Sequence, residues 1–183
     1  MINPFKKTYS EKDLTLFKFL TQVKLFEKLT FAEMSHFVPY LYLRQYKRDE
    51  VVFFRSDPAN ALYIIKSGKV GLSLDVKDRT ETLKVSRSGE AFGDNSLVDD
   101  SVRIYNAICE SERAEIYVIP KVNMLEIFAG HQKIKGKMLM SLTEIYNHLT
   151  SNLFKAYRSS FGFFNLSQIF IDPTEEEEEE EGI

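Results

Sequence analysis

The chain of 183 residues has no tryptophan and a single cysteine, and it lacks a long apolar run. Each shortage closes off a class of protein. One cysteine, Cys109, forms no internal disulfide, so the fold is not a stapled secreted scaffold. The N-terminal Met1-Ile-Asn-Pro-Phe-Lys-Lys lacks the basic-then-apolar order of a signal peptide, which makes the cytoplasm the expected compartment. A membrane-spanning helix needs about 20 apolar residues, whereas the longest candidate, Phe161 to Ile171, is short and broken by Gly162, Asn165 and Gln168. No membrane insertion is expected. The sequence also has no GxSxG, HExxH or GxxxxGK[ST] pattern, so neither a hydrolase nor a nucleoside-triphosphatase motif is present, and no catalytic residues are expected.

What is present begins with the charge. Twenty-four basic and 27 acidic side chains give a net charge of −3. The segment Asp172 to Ile183 holds Asp172 and the run Glu175 to Glu181 with no basic residue. Residues 1–171 therefore keep 24 basic against 19 acidic groups, a net +5. A weakly basic body carries an acidic tail. The body suffices for one domain, because a chain of about 150 residues buries roughly 70% of its unfolded surface on folding.

Local patterning divides the body. Ser10-Glu-Lys-Asp13 is a capping-box pattern, and Leu16, Phe19, Leu20, Val23 and Phe26 follow it on one helical face, which predicts a first helix ending near Lys28. Thr30-Phe-Ala-Glu33 is a second capping box, with Leu29 and Met34 placed as a hydrophobic staple, so a short helix is expected to about Val38. From Tyr40 the period changes to two. Short apolar stretches over 40–46, 51–55, 61–66, 69–77, 81–87, 103–109 and 113–119 alternate with turns at Ser56-Asp-Pro58, Lys66-Ser-Gly68 and Lys77-Asp-Arg79. In Lys69 to Lys77, Val70, Leu72, Leu74 and Val76 should face one way and Lys69, Ser73, Asp75 and Lys77 the other. Seven or eight antiparallel strands of this kind predict a jelly-roll or small barrel, a mainly β fold with flanking helices.

Helical patterning returns after Pro120. Val122, Leu125, Phe128 and Ala129 predict a helix stopping at Gly130, and a longer one is expected from about Gln132 to Arg158. In it Met138, Leu142, Ile145, Leu149, Asn152 and Ala156 step by 4-3-4-3-4, flanked by Leu139, Tyr146 and Leu153. That seam is either a contact over 138–156 with a second copy or a partner protein, or a wide face packed on the barrel. The expected organisation is N-terminal helices over 1–39, a β jelly-roll over 40–120, C-terminal helices over 121–158, an aromatic extension over 159–171 and an acidic, disordered tail over 172–183. Only about thirteen residues separate Arg158 from that tail, too few for a helix-turn-helix, and seven consecutive Glu repel phosphates. Direct DNA binding is therefore not expected.

The stretch Ala91 to Asn106 is the one long interruption among the strands. Gly93 permits a sharp turn, Asp94 to Asp99 can form a single helical turn whose free N–H groups favour an anion, and Arg103 offers a bidentate fork. The residues alone point to an anion-binding loop. The alternative is an Arg103 on the surface or paired with Asp94, Asp99 or Asp100. Cys109 in its strand reads as a buried structural thiol. His36, His131 and His148 lack metal-ligand spacing, which leaves solvent exposure or local packing as their role, and no metal or cofactor is expected.

Asp49-Glu-Val-Val-Phe-Phe-Arg-Ser-Asp-Pro58, then Leu62-Tyr-Ile-Ile-Lys-Ser-Gly-Lys-Val70, then Phe92-Gly-Asp94 with Arg103 nine residues on, together resemble the cyclic-nucleotide-binding domains. These are shared by the catabolite activator protein, protein kinase A regulatory subunits and cyclic-nucleotide-gated channels. The resemblance spans about residues 15–150 and includes the order of elements. It implies a non-catalytic regulatory module binding cAMP or cGMP and signalling through its C-terminal helices. It further implies that Asp94 takes the ribose 2′-OH and Arg103 the cyclic phosphate, with Gly93, Asn95, Ser96, Ile104 and Tyr105 lining the cassette. Four departures stand out: Asp94 for a Glu, Ser96 for an Ala, Val102 for a Pro, and Ile104-Tyr105 for a small pair. Strand alternation lets only one of Ile104 and Tyr105 face inward. The competing expectation is a fold that has lost its ligand and serves as an interaction or dimerisation module.

Overall fold

The computed structural model describes residues 8–76, 79–98 and 100–160. Two compact units are distinguished, residues 1–145 and 146–183. In the first, helix α1 covers Glu11–Leu20 and α2 covers Phe31–Met34. Both open with the capping boxes read from the sequence: Ser10 Oγ accepts from the Asp13 N–H and Thr30 Oγ1 from the Glu33 N–H, while each carboxylate reaches back to the cap N–H. Four of the N–H groups that a helix start leaves unpaired are thereby satisfied.

Both helices stop short of their expected ends. After Leu20 the backbone tightens into i→i+3 turns, Val23 N–H to the Leu20 carbonyl and Phe26 N–H to the Val23 carbonyl. Phe17, Leu20, Val23, Leu25, Phe26 and Leu29 are all buried, and no single face of a regular helix presents all six positions. Burial therefore overrides the continued 3.6 period. After Met34 the chain turns into a short 3-10 helix, Val38–Tyr40, with Pro39 in its first turn. The ring fixes φ and removes an N–H there, which ends the α-helical bonding.

Eight antiparallel strands follow: β1 Tyr42–Lys47, β2 Val51–Phe53, β3 Ala61–Ser67, β4 Lys69–Val76, β5 Arg79–Arg87, β6 Ala91–Phe92, β7 Asn106–Cys109 and β8 Arg113–Pro120. They form two four-stranded sheets in the orders β1-β8-β3-β6 and β2-β7-β4-β5. This is the jelly-roll architecture expected from the strand pattern. Between the sheets lie Phe53, Ile65, Val70, Leu72, Phe92, Ala107, Cys109, Ala114 and Ile116. Cys109 is buried, with its thiol directed at the Tyr46 and Ser111 carbonyls. Strict alternation fails in β4: Val70, Gly71, Leu72 and Ser73 are all buried and Val76 is exposed, while in the paired β5 a bulge skips Leu83 between the partners of Leu72 and Ser73. The extra residue belongs to β5, where it reverses the facing of the side chains that follow it. The expected turn at Lys77-Asp-Arg79 lies partly outside the described residues.

Helix α3 covers Lys121–Gly130 and α4 Gln132–Ser160. The buried face of α3 is Met124, Ile127 and Phe128, whereas Val122 and Leu125 are exposed, so the expected face is rotated. Within the first unit, α4 is tied to the N-terminal segment by ion pairs: Lys137 Nζ to Glu33 at 2.6 Å, and Lys24 and Lys28 to Glu144 at 2.9 and 2.8 Å. There the seam residues Met138 and Leu142 are buried. In the second unit the helix continues to Ser160, Leu149, Leu153 and Phe154 are exposed, and His148 and Asn152 bond one turn apart. The aromatic segment Phe161 to Ile171 and the glutamate run lie outside the described residues. Among the described residues no helix is long and apolar enough to cross a membrane.

Candidate functional site

The strand β6 is only two residues long because Gly93 follows it with φ at 69°, a left-handed turn that glycine adopts without penalty. A short 3-10 helix, Asp94–Leu97, comes next, in the place where a single helical turn was expected. The return limb is pinned to the turn between β2 and β3. Arg103 N–H donates to the Asp57 carbonyl and Ser56 N–H to the Arg103 carbonyl, both at 2.8 Å, and Pro58 bridges Val102. Ser101 Oγ donates to the carbonyls of Asn95 and Val98, while Asn95 Nδ2 donates to the Val102 carbonyl. The loop closes on itself through its own side chains. Arg103 and Tyr105 lie ahead of β7 instead of inside it, so the strand expected over 103–109 starts at Asn106.

Alternation is kept through this segment. Arg103 is buried at 2% exposure, Ile104 is 58% exposed, and Tyr105 turns inward against the core. Arg103 Nη1 donates to the Gly93 carbonyl at 2.9 Å and to Asn95 Oδ1 at 3.1 Å, and Nη2 donates to the Ala61 carbonyl at 2.7 Å. Its guanidinium carbon stands 4.3 Å from the Phe53 ring centroid and 5.4 Å from that of Tyr63. Phe53, Tyr63, Phe92 and Tyr105 form a continuous aromatic wall, with centroid separations of 5.1 to 5.9 Å. Such rings hold a cation through their electron-rich faces.

Among the described residues the hydrogen-bond partners of Arg103 are thus all neutral. Asp99 lies outside the described residues, and the expected alternative of a surface Arg is excluded by its burial. Burial pushes the guanidinium below its ordinary value, opposed by Tyr63, Tyr105 and the Asp94 carboxylate. Burial likewise pushes the Tyr105 phenol up to about 12, helped by Asp94. Its oxygen accepts from the Gly93 N–H at 3.0 Å. Ser96 is fully buried, and among the described residues its hydroxyl, like Arg103 Nε, has no hydrogen-bond partner.

The structure therefore brings Gly93, Asn95, Arg103 and Tyr105 into one bonded cluster, with Asp94 close enough to act on it electrostatically. Ile104 is not part of it. Ala61, Phe53 and Tyr63 were missed from the sequence: Ala61 contributes only its backbone, and the two aromatics read as ordinary core positions of alternating strands. Lys121 was also missed. From the first residue of α3 its ammonium donates to the Val98 carbonyl at 2.8 Å and its N–H to the Asn60 carbonyl, which couples the loop to the C-terminal helices. His36 and His131 pack on each other, with ring centroids 4.0 Å apart.

Residues 43–131 match the family model described as the cyclic nucleotide-binding domain. A Rhodopseudomonas palustris protein that carries a potassium channel name is 32% identical over 137 residues, which is 74% of this chain and 33% of that protein. The cyclic AMP receptor protein of Thermus thermophilus is 33% identical over 85 residues, 46% of this chain and 39% of that one. The chain thus spans well under half of the length of either relative. The regulatory domain of Toxoplasma gondii PKA, solved with cAMP, shares the fold at a TM-score of 0.60 and 19% identity, over 66% of this chain and 46% of that one. Through residues 43–131 this chain belongs to the cyclic nucleotide-binding domain family.

Proposed function

We propose that the loop from Gly93 to Tyr105 binds a cyclic nucleotide, cAMP or cGMP, with its phosphate toward Arg103 and its sugar toward Asp94, and that the bound state is passed to a partner through α3 and α4. The observation that carries this reading is Arg103 itself. Among the described residues, a guanidinium at 2% exposure is held by carbonyls, an amide oxygen and ring faces. Burying a charge costs several kcal/mol unless an opposite charge and hydrogen bonds compensate, as a phosphate would. Two further buried donors, Arg103 Nε and Ser96 Oγ, are unspent in the same loop. A phosphate oxygen accepts from such groups with bonds roughly twice as strong as neutral ones.

The output follows from connectivity. Ligand contacts that move the 3-10 turn also move the Val98 carbonyl, and Lys121 at the head of α3 is bonded to that carbonyl. No bond is made or broken at the site in this reading. A second reading, a fold that binds no nucleotide and serves as an interaction module, is favoured by one observation: both terminal nitrogens of Arg103 are already taken by the chain's own acceptors. Calorimetric titration of cAMP and cGMP into the wild type and Arg103→Ala separates the two. Binding to the wild type that weakens at least tenfold in the variant supports the nucleotide site. Unchanged binding in the variant removes Arg103 from it, and no binding to the wild type favours the interaction module.

A further inference from the structure

Gly93 offers both of its backbone groups to the limb that returns toward β7. Its carbonyl accepts from Arg103 Nη1 at 2.9 Å, and its N–H donates to the Tyr105 hydroxyl at 3.0 Å. There is no slack around this residue: a Cβ built on Gly93 would stand 2.6 Å from Arg103 Nη1 and 3.2 Å from Tyr63 Cδ2. The Tyr105 ring is set against Phe53, with centroids 5.8 Å apart at 37°. Its hydroxyl thus caps the backbone donor of the same residue whose carbonyl holds the guanidinium.

Burial and the neighbouring Asp94 push the phenol up to about 12, so at neutral pH it is uncharged. An uncharged phenol oxygen holds an N–H less strongly than an anionic phosphate oxygen does, because bonds to an ionised acceptor are about twice as strong. An anion arriving at Arg103 can therefore displace the hydroxyl from Gly93, at the cost of one neutral hydrogen bond.

We propose that Tyr105 is an internal competitor in this loop: its hydroxyl occupies the Gly93 N–H that the phosphate of a cyclic nucleotide would take, and so sets the concentration at which the site fills. The proposal rests on the nucleotide reading given above. Tyr105 tunes affinity for the phosphate in particular, because the N–H it blocks belongs to the residue whose carbonyl is bonded to Arg103. The nucleoside part of the ligand has no stake in that bond.

Tyr105→Phe tests this, since it keeps the ring against Phe53 and deletes only the hydroxyl. Cyclic AMP, cyclic GMP and adenosine are titrated calorimetrically into the wild type and the variant. Removing the competition should lower the dissociation constant of the cyclic nucleotide about 2- to 10-fold, the worth of one neutral hydrogen bond, while adenosine stays unchanged. In the wild type the Gly93 amide resonance should shift on addition of nucleotide as its partner changes. If the wild type binds nucleotide and Tyr105→Phe binds no tighter, or if adenosine gains as much, the competitor role is wrong while the nucleotide site stands. If neither protein binds either nucleotide, the nucleotide reading fails and this proposal fails with it.

Discussion

Gly93 sits where three demands meet. Its φ of 69° is strained for any residue with a side chain, its Cβ direction is filled by the Arg103 guanidinium, and its two backbone groups hold Arg103 and Tyr105. Gly93→Ala should therefore act on stability and site together. A side chain forced into a left-handed position costs more than the ~1 kcal/mol that glycine-to-alanine changes return elsewhere, and here the methyl must also push the guanidinium aside. Urea denaturation should show a loss of about 2 kcal/mol or more. A variant as stable as the wild type would mean that Arg103 does not lie against Gly93. Ser96 belongs to the same scale, a hydroxyl buried without a partner where a smaller side chain would be indifferent. Ser86 and Ser141 also bury hydroxyls without a hydrogen-bond partner among the described residues, so Ser96 gains meaning only beside Arg103 Nε in the same loop.

Helix contacts tie the two ends of the first unit together. The segment of α4 in the first unit is tied to the N-terminal helices through Glu33, which serves both the Thr30 cap and the Lys137 ammonium. Burial alone would raise its carboxyl, but Lys137 and Thr30 together hold it below the ordinary 4.5. The Glu144 carboxyl is held down by Lys28 and Lys24. A depressed carboxylate contributes stability that is present above its unfolded value and lost as pH falls through the folded one. Stability of the wild type should accordingly drop as pH is lowered below about 4.5, and Glu33→Gln should show a shallower fall, as measured by denaturation midpoints against pH. Identical slopes would show that this tie contributes nothing.

These elements were unequally legible. Capping boxes are local, so the starts of α1 and α2 were readable from Ser10 and Thr30. Their ends were not, because burial of Val23 and Leu25 by distant parts of the chain decides them. The strands were readable from alternation except where a bulge breaks it at Ser73 or where β6 is too short to alternate. In the loop, Gly93 and Arg103 carried their own signal through residue type and spacing. The inward turn of Tyr105 was left open, since alternation allows either neighbour to face in, and the backbone acceptor Ala61 carries no side-chain signature at all.

At the scale of the whole molecule, two antiparallel sheets enclose an apolar core and present a loop that gathers a buried cation, an aromatic wall and unspent donors beside the first residue of α3. The family match over residues 43–131 places this loop in a domain class described by cyclic-nucleotide binding. Of the departures from the family pattern, Ile104 points outward and Tyr105 turns inward to accept from the Gly93 N–H. The central claim is that a cyclic nucleotide binds the folded protein at this loop. Thermal unfolding with and without saturating cAMP or cGMP measures it most directly. A ligand at about 100 times its dissociation constant adds about 2.7 kcal/mol, which for a domain of this size raises Tm by roughly 6 to 10 °C. That shift is expected with one of the two nucleotides and is expected to vanish in Arg103→Ala. An unchanged Tm with both nucleotides in the wild type would contradict it.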